Sequence, residues 1–138
     1  MTTTHHPDPT LERALLALRI GLAILFLIWA LDKLVNVEHA KAVFAGFYGQ
    51  DKETMPNILP YGLGVVQLAL VLAFAAGAKK TITYGALLLM HVATTVVSLK
   101  LHLDPFGTPN ILFWANWPIL GALIALFLLR DRDRLLSV

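Results

Sequence analysis

Tyr84-Gly-Ala-Leu-Leu-Leu-Met-His91-Val-Ala-Thr-Thr95-Val-Val-Ser98-Leu-Lys-Leu-His102 is an apolar run with a polar stripe drawn along it. Tyr84, Leu88, His91, Thr95, Ser98 and His102 follow steps of four and three, so a helix carries them on one face. The rest of its surface is aliphatic. Lipid offers no partner for a polar group, so such a seam faces protein or a water-filled cavity.

Composition supports reading the run as one of several membrane spans. The chain has 138 residues, 57% hydrophobic and 14% charged, too apolar for a water-soluble domain of this size to bury. The formal net charge is +2, with no basic block interleaved with aromatics, so no nucleic-acid partner is expected. Cysteine is absent, which removes thiol redox chemistry and cysteine-held iron–sulfur clusters.

Working outward, the pattern predicts an all-α protein: a four-helix antiparallel bundle in the membrane, with spans over about 11–31, 58–78, 82–99 and 111–129. Residues 1–10 read as a flexible tail without a signal-peptide cleavage site, and 131–138 as a short charged tail. Asp8-Pro9 is a helix start, with Asp as cap and Pro in the first turn. Arg19 is the interior charge of the first span. It either snorkels or pairs with Glu12, or else holds an anionic headgroup or a buried carboxylate.

Between the first two spans, Val37, Ala40, Phe44 and Phe47 share one face opposite Glu38, His39 and Lys41. That predicts a short amphipathic helix at the membrane surface, with His39 solvated. The second span contains Gln67, expected to bond a neighbouring helix, and Gly62 and Gly64, which permit close approach. The fourth carries Asn110, Trp114, Trp117 and Gly121 in heptad steps, and Pro118 permits a bend. An even number of spans puts Arg13, Lys79, Lys80, Arg130, Arg132 and Arg134 on one side and Lys33, Lys41, Lys52 and Lys100 on the other. Six against four predicts both termini in the cytoplasm.

Three chemistries are tested against these residues. Haem ligation within the chain fails, because His91 and His102 lie on one helix, about 16 Å apart by rise. A haem shared with a partner chain stays open. No metal site is expected, since His5-His6 supply too few fixed ligands. Hydrolysis lacks an Asp–His–Ser set, and Asp32 and Asp104 read as partners for Lys33, Lys100 or His102. A quinone needs an apolar slot, aromatic walls and donors to its carbonyls. Tyr84, His91, His102, Gln67, Trp114 and Trp117 are the candidates to line one. Each has a plainer reading too: the tryptophans as interface anchors, and His91 and Gln67 as helix-to-helix hydrogen bonds.

Arg19-Ile-Gly21 opening a run that ends Trp29-Ala-Leu-Asp-Lys33-Leu34, together with Leu59-Pro60, the Gly77 end of the second span and the basic turn after it, resembles the DoxX family of small bacterial membrane proteins. The resemblance covers about residues 13 to 130. Two positions depart from it: Gln67 stands where members often carry an acid, and Ala30 where a glycine is common. The resemblance implies a partner-dependent subunit linked to redox chemistry, as in the small subunit of a thiosulfate:quinone oxidoreductase.

The leading expectation is therefore an anchor or quinone-side subunit of a redox complex, working with other membrane or periplasmic subunits or as a homo-oligomer. His91, Gln67, Trp114 and Trp117 would line its pocket, with His102 at the mouth. The competing expectation is a non-catalytic scaffold whose seam only registers helices. Transport of a small solute is a third.

Overall fold

A computed structural model describes residues 8–138. The His5-His6 pair and most of the 1–10 tail lie outside them. Among the described residues all regular structure is helical. Four helical stretches, Pro9–Val35, Ile58–Ala75, Lys80–Val97 and Asn110–Leu128, are long and apolar enough to cross a membrane.

Helix α1 (Pro9–Val35) starts where Asp8 Oδ1 accepts from the amides of Thr10 and Leu11 at 3.0 and 3.3 Å, with Pro9 needing no partner of its own. It continues four residues past the expected Leu31. The backbone ladder holds through Asn36 N to Asp32 O, and Lys33 Nζ folds back onto Trp29 O at 3.0 Å. Asn36 breaks the run, and α2 (Val37–Tyr48) follows directly. Asp32 pairs there with His39 Nδ1 at 2.7 Å, rather than with Lys33.

Helix α3 (Ile58–Ala75) stops three residues before the expected Ala78. Gly77 adopts φ +66°, its amide donating to Phe74 O and that of Ala78 to Ala73 O, which closes a Schellman turn. The seam run divides in two, α4 (Lys80–Val97) and the single turn α5 (Leu99–His102). The hydroxyls of Thr95 and Ser98 bond back to the carbonyls of His91 and Thr95, at 2.9 and 3.1 Å. Such bonds compete with the backbone ladder, and the helix breaks at Ser98. The fourth stretch starts as a 3₁₀ helix (Asn110–Ala115) and becomes α6 (Asn116–Leu128) just before Pro118. The proline, having no N–H, sits in the first turn of α6 instead of bending its middle.

The core forms where α1 packs on α3 and α4 on α6, from Leu15, Leu22, Phe26, Val71, Phe74, Leu87, Leu123 and Leu126. Gly64 lets α3 approach α1 closely, since a Cβ there would lie 2.7 Å from Leu34 Cδ2 and 3.0 Å from Lys33 Cβ; around Gly62 the space is open. Outward faces are apolar as well: Leu89 is 70% exposed and Ile28 58%. Water would penalise that surface and hydrocarbon would not.

Residues 131–138 do not trail away as a charged tail. The segment folds back over the α3–α4 turn, with Val138 N donating to Ala76 O at 3.1 Å.

Candidate functional site

The polar stripe expected to line one pocket is distributed over three separate clusters. At its start, Tyr84 is fully buried beside Arg19. Arg19 Nη1 donates to Asp133 Oδ2 (3.1 Å), Ser137 Oγ (2.8 Å) and Tyr84 Oη (3.3 Å). Its Nη2 donates to the carbonyls of Leu135 (2.5 Å) and Leu136 (3.0 Å). The Tyr84 hydroxyl donates to Asp133 Oδ2 at 2.5 Å, and Lys80 Nζ to Asp133 O. Arg19 and Asp133 are both 0% exposed. Of the readings open for Arg19, the buried carboxylate is the one realised, and neither Glu12 nor snorkelling satisfies it. Tyr84 thus belongs to an ion-pair cluster about two helical turns from His91, not to a pocket with it.

The middle cluster holds His91 and Gln67. His91 is 0% exposed, and Nε2 donates to Asn116 O at 2.9 Å. Its ring stacks on Trp29 at 6.3 Å and 21°, and meets Phe26 edge-on at 6.0 Å. Gln67 Nε2 donates to Phe26 O at 3.4 Å, so both polar side chains close on α1 or α6 rather than on each other. With Nε2 carrying the hydrogen, His91 Nδ1 presents a lone pair, and it has no partner.

In the third cluster, Asn116 Nδ2 donates to Ser98 Oγ at 3.0 Å, and His102 sits between the rings of Trp114 and Trp117, 5.5 and 5.8 Å away. The tryptophans are 45% and 46% exposed and stand with His102, away from His91 and Gln67. Asp104 does not pair with His102; its backbone carbonyl takes Asn110 Nδ2 at 2.9 Å.

No protein-family model, curated protein or solved structure matches this chain.

A groove of about 280 Å³ opens between α1 and α6, walled by Ala17, Gly21 and Leu22 on one side and Pro118, Ile119 and Ala122 on the other. None of the six seam candidates lines it. Among the described residues no three histidine or carboxylate side chains converge as a metal-ligand set.

Sequence reasoning missed Asp133, Ser137, Trp29 and Asn116 as partners of the stripe. For Asp133 the available signal was a lone interior arginine needing a carboxylate, but Asp131 and Asp133 alternate with arginines in the same way. Trp29 lies on α1 with no polar periodicity to mark it.

Proposed function

We propose that this chain is a non-catalytic scaffold or assembly subunit of a larger inner-membrane complex. One observation carries the reading: the polar side chains of the stripe turn their hydrogen bonds onto neighbouring elements. His91 and Asn116 tie α4 to α6, Gln67 ties α3 to α1, and Arg19 and Tyr84 tie α1 and α4 to residues 133–137. Groups spent in this way fix helix register. The four spans form an antiparallel bundle, and α2 lies along the membrane interface with Phe44 and Phe47 turned inward. Both termini and the Lys79-Lys80 turn occupy the cytoplasmic side, a reading supported by the six-to-four distribution of lysine and arginine, and the bond from Val138 to Ala76 joins the C-terminal end to that turn. The resemblance to the DoxX family supplies the setting, a membrane or periplasmic redox partner or a second copy of the chain.

A second reading, a quinone-interacting redox subunit, is favoured by one feature: the unpartnered Nδ1 of His91 beside Trp29 and Phe26. Purification in mild detergent with quinone extraction separates the two. The scaffold reading predicts a partner retained by crosslinking, with no stoichiometric quinone. Recovery of one quinone per chain, lost in His91→Leu while the partner stays bound, would overturn it in favour of the second.

A further inference from the structure

His102 is buried at the end of α5 with a carbonyl oxygen against each ring nitrogen. Nδ1 lies 3.0 Å from Ser98 O, and Nε2 lies 3.0 Å from Phe113 O. A carbonyl can only accept, and a neutral imidazole has a single N–H. Either neutral tautomer therefore presses one nitrogen lone pair against an oxygen lone pair. The imidazolium alone donates to both.

We propose that His102 is a protonation-controlled clasp on the loop between the third and fourth spans. Charged, it ties α5 to the 3₁₀ helix Asn110–Ala115. Neutral, it keeps one bond and releases the other. The bond to Ser98 O stays within one helical turn, whereas the bond to Phe113 O closes a loop of eleven residues and is the one released.

Position gives the clasp its leverage. The remaining hydrogen bonds of the loop are local: Leu103 N to Lys100 O, Gly107 N to Asp104 O, Asn110 N to Gly107 O, Leu112 N to Pro109 O and Asn110 Nδ2 to Asp104 O. Past Leu103, whose amide only caps α5, they shape the loop without fastening it to that helix. Phe113 packs in turn on Phe47 of α2, with ring centroids 5.6 Å apart. Release at Phe113 O thus loosens the 3₁₀ helix and its contact with α2, while Asn116 stays tied to Ser98 Oγ and to His91.

The charge that works the clasp is the histidine's own. Neither the 3₁₀ helix nor α6 carries a titratable side chain. On α4 the nearest is His91, which is engaged with Asn116 O. Lys100 and Asp104, on the stretch around His102, are exposed. Behind Phe113, α2 carries Glu38 and Lys41, paired with each other, His39, paired with Asp32, and Tyr48, which packs on Phe44. Lys52, in the loop after α2, also reaches Glu38. The sign follows directly: the closed form holds the extra proton, so acid closes the clasp and rising pH opens it.

The test uses the full chain in detergent, with ¹⁵N-labelled histidine read by NMR and amide exchange followed over residues 103–115. Both His102 ring nitrogens are expected to carry hydrogen at the acid end of the folded range. Conversion to a single tautomer on raising pH should coincide with about fivefold faster exchange in that segment, after correction for the intrinsic rate. In His102→Gln, which cannot titrate, the corrected exchange should be independent of pH. A His102 ring that stays a single neutral tautomer throughout the folded range overturns the proposal. So does a corrected exchange profile that His102→Gln leaves unchanged. Should His102→Gln not fold, the nitrogen spectrum of the unaltered chain decides alone.

Discussion

Moving a guanidinium out of water costs several kcal/mol, and the Nη groups of Arg19 offset it by sharing their hydrogens among five acceptors, four of them in residues 133–137, while Nε has no partner. Removing one partner strands the other as a buried charge. Arg19→Leu and Asp133→Leu are each expected to destabilise the protein by about 3–5 kcal/mol, measured by unfolding in mixed micelles with circular dichroism. The double substitution should recover most of that loss, because no unpaired charge remains. Gly77 is the second sensitive position. Its φ of +66° disfavours any side chain, and a Cβ would sit 2.6 Å from Arg19 Nη1 and 2.7 Å from Ser137 Oγ. Gly77→Ala should cost about 1–3 kcal/mol in the same assay. Gly21→Ala, where nothing lies within 4 Å of the added carbon, should be neutral or slightly stabilising.

Among the elements, segment 131–138 acts through α1 and α4 although it contains no regular helix. Deleting it should destabilise about as much as Asp133→Leu, and adding Arg19→Leu to the deletion should restore part of the loss. If the deletion unfolds no more easily than the intact chain, the segment is not the counter-ion that the geometry makes it. The cross-helix bonds of the middle cluster are weaker. Gln67→Leu removes one bond to a backbone carbonyl and should cost about 0.6–1.7 kcal/mol. His91→Leu also loses the stack on Trp29, so its loss should be the larger of the two. The order of the two unfolding midpoints checks this.

At the scale of the molecule, the absence of cysteine makes topology directly measurable. Single cysteines at exposed Glu53 and Asp131 should react with a membrane-impermeant thiol reagent from opposite faces of sealed vesicles, Asp131→Cys from the cytoplasmic side. Labelling of both from one face would break the four-span arrangement. Much of the architecture was legible in the chain itself. Long apolar stretches bounded by charges and prolines locate helices, because length and hydropathy are local quantities that a bilayer reads directly. The face carrying Tyr84, His91, Thr95, Ser98 and His102 followed from helical period alone. What lies opposite that face was not local. Asp133 meets Arg19 across 114 positions, and His91 meets an Asn116 backbone carbonyl, which no side-chain pattern encodes. Periodicity gives the direction in which a side chain leaves its own helix. The group it meets depends on how neighbouring helices rotate and slide to pack, and only the assembled tertiary structure decides that.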